Sequence, residues 1–246
     1  MENKILGITV NNESKIDILE QIIKYISQPI GFYPIVSLNP ENLVIAQENK
    51  EFEKVIKTAQ IKIIDGIGIV LAARILGVHI RERITGVDLM EKLSELAGRI
   101  RLRVLLIGGG PNLALRLTAC YQKKYPKAKF LGTIGFSDIK NPTEIEERQV
   151  FDIVRRYKPH IIFAAFGSPE QELWLFRHSK ELRGIICMGV GQGFDVIGGI
   201  VKRAPVWLQN IGLEWLYRLL TQPWRWKRQL RLIKFIWLIM KQRVGK

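Results

Sequence analysis

Asp65 closes an apolar run over 61–64 and opens the turn Asp65-Gly66-Ile67-Gly68. A carboxylate at the end of a buried strand is partly desolvated, which raises its proton affinity towards that of a general base. An Asp in front of a helix also serves as an N-cap, and the residues alone leave both roles open. The run 33–38 ends in Ser37-Leu38-Asn39-Pro40-Glu41, which puts a hydroxyl and an amide at a second strand end. In Glu82-Arg83-Ile84-Thr85-Gly86-Val87-Asp88, Arg83 lies in a loop before a helix expected to be capped by Asp88. A guanidinium there can hold a phosphate or a sugar hydroxyl, or stay solvated on the surface.

Glycine turns extend the pattern. Gly108-Gly109-Gly110 follows the run 104–107. It can offer backbone N–H groups to a phosphate at a helix start, or serve only tight packing. The match to a dinucleotide fingerprint is partial, and the next strand ends at Gly132-Thr133 without the acidic residue a ribose needs. After 161–166 come Ser168-Pro169-Glu170-Gln171-Glu172. Pro169 suits a first helical turn, and the two glutamates favour that end electrostatically. Gln171 has no such structural reason. After 185–188 come Gly189, Gly191 and Gly193 at alternate positions and then Asp195, which can accept from a base or ribose or cap a helix. Five strand-end turns of this kind, converging on one sheet edge, point to a phosphate-bearing ligand.

The elements that must position these turns alternate. Strands are expected over 5–10, 33–38, 61–64, 104–107, 129–133, 161–166 and 185–188. Helices are expected over 14–27 with Ser14 as N-cap, 42–59 in one piece or two, 67–76, 88–98, 113–124, 142–157 and from 169. Continuous apolar strands alternating with helices mean an α/β fold with a mainly parallel sheet covered on both faces, whose ligand site lies at the carboxyl ends of the strands. A length of 246 residues fits one large domain or a domain plus an appendage. Two cysteines, Cys120 and Cys187, make no disulfide framework, and His79, His160 and His178 lack metal-ligand spacing. The N-terminus lacks a signal-peptide core and no run of about 18 apolar residues occurs, so a cytosolic protein is expected.

Charge marks an internal boundary near residue 200. The net charge is +15, and residues 200–246 hold 11 Lys/Arg against Glu214 as their only acid, with five of the six tryptophans. The division expected is a catalytic core over 1–199 and a basic helical appendage over 200–246, with helices over 206–220 and 222–243. On a helical wheel Lys227, Arg231, Lys234 and Lys241 share one face, opposite Leu232, Ile233, Ile236, Ile239 and Met240, with Leu238 misplaced. This composition suits a helix lying in the plane of an anionic membrane. Basic residues among aromatics also suit single-stranded nucleic acid, and an oligomerisation helix is the bland alternative. The membrane is preferred, nucleic acid is not expected, and a homo-oligomer stays open.

Taken together these segments resemble the WecG/TagA/CpsF family of bacterial glycosyltransferases over nearly the whole chain. The residues that carry the resemblance are Asn39 and Glu41, Asp65-Gly66 with Gly68, Glu82-Arg83 with Gly86 and Asp88-Leu89, Gln171-Glu172 with Trp174, and Gly189-Val190-Gly191 with Phe194-Asp195. Arg203-Ala204-Pro205 and Gly212-Leu213-Glu214-Trp215-Leu216-Tyr217-Arg218-Leu219 complete the set. The resemblance implies a Rossmann-like core, a UDP-sugar donor (N-acetylmannosamine as the best single choice), a polyprenyl-diphosphate-linked acceptor and inversion at the anomeric carbon. It also implies no metal or other cofactor, a role in cell-surface polysaccharide or teichoic acid synthesis, and attachment to the inner face of the cell membrane through the appendage. By motif position Asp65 is the expected base, with Ser37 (where Thr is usual), Asn39 and Arg83 beside it. Gly108, Gly109, Gly110, Gln171, Gly189, Gly191, Asp195, Arg203, Arg218, Arg225 and Arg228 are the expected substrate contacts. Glu170 stands where Lys is common, which removes a positive charge from that turn. The alternative from another class is a non-catalytic nucleotide-binding or membrane-adaptor protein of the same fold.

Overall fold

The computed structural model describes residues 3–223 and 226–245, with side chains at all of them except 210 and 227–229. Arg225 therefore lies outside the described residues, and Lys227 and Arg228 outside the described side chains.

Six parallel strands form the centre: β3 (Tyr33–Leu38), β4 (Ile61–Ile64), β5 (Arg103–Gly108), β6 (Lys129–Thr133), β7 (Ile161–Ala165) and β8 (Ile186–Gly189), in the order β4-β3-β8-β7-β5-β6. Every pairing is parallel. β4, β7 and β8 are buried along their whole length, as a sheet covered on both faces requires. The expected strand over 5–10 is instead a separate antiparallel ribbon of β1 (Lys4–Ile5) and β2 (Ile8–Thr9). Leu6 and Gly7 both take positive φ there, which folds the run back on itself.

Side chains alternate across each strand and sort the helices into layers. Ile35 and Ile63 point into the cluster built with α1 (Lys15–Ser27), α5 (Gly86–Ile100) and α6 (Leu113–Lys124). Val36, Leu38 and Ile64 point the other way, into α2 (Pro40–Glu48), α3 (Lys50–Thr58) and α4 (Ile67–Leu76). On that same face α7 (Glu144–Tyr157) and α8 (Glu170–Arg177) cover β5 and β7. Ser14 caps α1 in a capping box with Asp17, and Thr143 does the same for α7 with Glu146. Asn49 both ends α2 and caps α3, so the 42–59 helix is two pieces. The cap of α5 is Thr85, not Asp88: Thr85 Oγ1 accepts from the Asp88 amide, and the helix starts two residues earlier than its acid suggests.

Among its described residues the segment after residue 200 forms three α-helices rather than two, α10 (Val206–Asn210), α11 (Glu214–Thr221) and α12 (Trp226–Val244). α12 lies on α2 and α4, and its Phe235 and Ile239 are each only 2% exposed, within the same core as Val36 and Leu43. Its basic side chains point partly inward as well: Arg231 pairs with Glu41 at 2.7 Å and Lys234 with Glu48 at 2.6 Å. Gln242 accepts from the Leu6 amide and donates to the Lys4 carbonyl, tying the helix to the N-terminal ribbon. The expected division into an apolar and a basic face does not hold. Ile239 turns to the core, Leu238 packs beside it, and Ile233, Ile236 and Met240 stay exposed.

Candidate active site

The ends of β3, β4 and β8 open into one cavity of about 620 Å³. Its floor is set by backbone pairing. The Asp65 amide donates to the Leu38 carbonyl at 2.8 Å, which holds the turn after β4 against the turn after β3. The Ile84 amide donates to the Ile64 carbonyl and brings the loop before α5 to the same edge. Asp65 does not cap α4. That helix has Gly66 as its N-cap, with no side-chain bond, and Asp65 Oδ2 instead accepts at 3.2 Å from the amide of Gly86, the first residue of α5. A methyl group on Gly86 would sit 3.4 Å from both Asp65 Oδ2 and Ser37 Oγ, so three strand and helix ends meet at that point.

The Asp65 carboxyl lines the cavity, and the residue is half-buried. Burial pushes its proton affinity above the usual carboxylate range; the Gly86 N–H, Arg218 and Arg83 pull it back only in part, and Glu214 pushes it up further. Asn39 commits its Oδ1 to the Asn42 amide as the cap of α2, while Asn42 donates back to the Ser37 carbonyl. Ser37 and Asn39 are therefore held rigidly on the cavity wall.

Three arginines surround this floor. Arg83 donates to the Gln209 carbonyl at 3.1 Å and joins the loop before α5 to α10. Arg203 pairs with Asp88 at 2.8 Å and Arg218 with Glu214 at 2.6 Å. The Nε of Arg203 is buried without a hydrogen-bond partner and lies 4.0 Å from Glu214 Oε1. Each arginine lines the cavity. Together with helix α5 presenting its N-terminal end, they make the polar end of the cavity suited to a diphosphate. Opposite it, Ile67, Leu71 and Ile75 of α4 face Leu232, Phe235, Ile236, Ile239 and Met240 of α12.

The structure thus brings together Ser37, Asn39, Asp65, Arg83, Gly189, Arg203 and Arg218. It leaves Gly108, Gly109, Gly110, Gln171, Gly191 and Asp195 off the cavity wall, while Arg225 and the Arg228 side chain lie outside what the structure describes. Gly108 and Gly109 pack under aromatic rings: a Cβ would meet Phe166 at 2.6 Å and Phe194 at 2.8 Å respectively, so tight packing explains them. Gly110 has open space around it and does not line the cavity. Gln171 is buried and does have a structural reason. Its Oε1 accepts from the Phe166, Gly167 and Gly191 amides, which ties the turn after β7 to the turn after β8. Gly191 is one of those donors. Asp195 lies inside α9 (Gly193–Ile197), away from the cavity wall, with burial holding its carboxyl above the ordinary range. Glu170 sits near Lys140 at 3.6 Å.

Sequence reasoning passed over Glu214 as a working residue. Its signal was that it is the single acid in a segment with 11 basic residues. In the structure it holds Arg218 and approaches Arg203, fixing both beside Asp65.

Residues 3–246 match the family model described as the glycosyl transferase WecG/TagA/CpsF family. The chain belongs to that family. It is a glycosyltransferase. Curated relatives agree in length as well as sequence. The N-acetylglucosaminyldiphosphoundecaprenol N-acetyl-beta-D-mannosaminyltransferase of Bacillus subtilis (strain 168) is 31% identical over 241 residues, covering 97% of this chain and 90% of that protein. The enzyme of the same name from Bacillus spizizenii is 32% identical over 219 residues, 88% of this chain and 82% of that protein. The one from Staphylococcus aureus (strain NCTC 8325) is 29% identical over 225 residues, 91% and 85%.

Proposed function

We propose that this glycosyltransferase moves N-acetylmannosamine from a UDP-sugar to a sugar linked through a diphosphate to a polyprenyl lipid, with inversion at the anomeric carbon. The observation that carries the reading is Asp65, a carboxylate of raised proton affinity at the floor of a cavity walled by Arg83, Arg203 and Arg218. The acceptor hydroxyl attacks the anomeric carbon from the face opposite the nucleotide. Asp65 takes the hydroxyl proton as the new C–O bond forms, and the bond from the anomeric carbon to the β-phosphate oxygen breaks. UDP leaves with its bonding pair, and the arginines and the N-terminal end of α5 meet the charge that develops there. The names of the relatives support both the lipid-linked acceptor and the choice of sugar. Synthesis of a cell-surface polymer follows from such an acceptor. An incubation of the protein with UDP-N-acetylmannosamine and an N-acetylglucosaminyl diphosphate lipid, read by mass spectrometry, is expected to add one N-acetylhexosamine mass. UDP-glucose and UDP-glucuronic acid serve as competitors; preference for either replaces the donor, and no transfer from any of them removes the reading.

The protein is further proposed to work at the inner membrane face. No helix among the described residues is long and apolar enough to cross a membrane. The segment after 200 instead pairs its basic surplus with exposed Trp207, Ile211, Ile233 and Trp237. Each basic residue near an anionic surface contributes about 1 kcal/mol, and insertion of the apolar side chains adds burial. The protein is expected to sediment with anionic vesicles far more than with neutral ones, and high salt is expected to weaken that binding without abolishing it. Equal sedimentation with both vesicle types would remove the electrostatic half of the argument.

A further inference from the structure

The apolar end of the cavity is not a closed piece of core. Leu71 and Ile75 of α4 are 48% and 44% exposed, and Ile236 and Met240 of α12 are 55% and 49% exposed, yet all four line the same cavity as Asp65. Below them Phe235 and Ile239 are fully packed and form the bottom of the trough. Its α4 wall has 10 residues and so runs for about 15 Å. One end of this open trough meets the arginines; the rest is apolar and reaches the surface beside Ile233 and Trp237. A sugar nucleotide has no apolar part of that length to place there. The hydrocarbon chain of a lipid-linked acceptor matches the trough, with the acceptor's polar head at the Asp65 end.

We propose that the trough between α4 and α12 holds the first isoprene units of the polyprenyl acceptor, whose polar head then reaches towards Asp65. This rests on the acceptor reading above and adds where the lipid lies. The rest of the chain then leaves past Ile236 and Met240 towards the bilayer that α12 faces. The tail becomes part of substrate recognition rather than only an anchor: an acceptor that carries it is drawn into register with Asp65, and one that lacks it is held by its head group alone.

Two paired variants test this, Leu71→Gln with Ile75→Gln and, separately, Ile236→Gln with Met240→Gln. All four positions are exposed and Gln suits a helix, so folding is spared. The probes are an N-acetylglucosaminyl diphosphate bearing a long prenyl chain, in detergent micelles, and the same head group bearing a methyl. Each pair is expected to raise KM for the prenyl acceptor by about tenfold or more, since polar groups replace apolar contacts, with KM for the methyl acceptor within about twofold. Equal loss for both acceptors, or no loss for either, overturns the lane while leaving the transfer reaction standing. A shift from dimer to monomer without a tail-dependent loss overturns it in favour of a second copy of this chain in the trough. Absence of transfer by the unaltered protein to either acceptor overturns the reaction and the lane together. A photoreactive prenyl diphosphate gives an independent readout: labelling is expected within residues 67–76 and 226–244, and labelling elsewhere only overturns the assignment.

Discussion

Asp65→Asn is expected to lower turnover about 10²–10⁴-fold, the usual range for loss of a general base, while making the folded protein more stable at neutral pH. Both follow from one shift. The carboxyl is held above its ordinary value of 3.8 first by burial, with the Gly86 N–H, Arg218 and Arg83 opposing that rise and Glu214 adding to it. A raised folded value means the fold binds the proton more tightly than the unfolded chain does. The stability this contributes is fully present below 3.8 and is lost as pH rises through the folded value. At pH 7 the native protein has therefore lost stability that the protonated carboxyl gives it in acid. Asn keeps the shape and the hydrogen bond from Gly86 in weaker form but has no charge to desolvate. Melting curves should show the variant above the native protein at pH 7, with the gap closing as pH falls towards 4. For a chain of this size each kcal/mol relieved corresponds to about 2–4 °C. The acid limb of kcat/KM in the native protein should lie above the ordinary Asp value and vanish in the variant. Near-native turnover by Asp65→Asn would remove Asp65 from the chemistry, whatever the melting curves did.

The part of this site that the sequence exposes is the part made by single strand ends. Asp65 and Asn39 each follow an apolar run directly and Ser37 is the next-to-last residue of β3, so strand polarity alone brings them to one edge. Gly189 follows for the same reason. The readings that changed depend on contacts between turns far apart in the chain. Gln171 looks free of structural duty in its own helix, and its duty lies with the amide of Gly191, 20 residues away. Gly108 and Gly109 have the composition of a phosphate cradle, but the rings of Phe166 and Phe194 occupy the space above them. Thr85 rather than Asp88 caps α5 because a cap is chosen by where the chain enters the helix, and both residues are good caps. The same limit applies to α12. A helical wheel sorts its residues by polarity, but polarity does not distinguish an apolar side chain facing α2 from one facing outward. Arg231 and Lys234 pair with Glu41 and Glu48 of α2, and in that same rotation Phe235 and Ile239 face the core while Ile236 stays outside.

That rotation changes what removal of the C-terminal segment does. All six strands of the main sheet precede residue 200, which makes a folded truncated core the natural expectation from sequence. In the structure α12 covers α2 and α4, and its loss would bare the faces of those helices against which Phe235 and Ile239 pack. Phe235→Ala alone is expected to cost about 3 kcal/mol, and Ile239→Ala about 2 kcal/mol or more, through lost burial and the cavities left behind. At about 2–4 °C per kcal/mol, Phe235→Ala lowers Tm by roughly 6–12 °C. Cutting the chain after residue 223 removes both side chains, the Arg231 and Lys234 ion pairs and the Gln242 clasp on the N-terminal ribbon at once. The shortened protein should melt well below the full chain, bind a hydrophobic dye and tend to aggregate. Lost activity in it would then say nothing about anchoring, whereas Trp237→Gln, at a position 59% exposed, should weaken vesicle binding with Tm unchanged. A truncated protein that melts with the full chain's Tm and cooperativity would show that α12 is held to the core too weakly to matter. The segment would then be the separable appendage that its charge suggests.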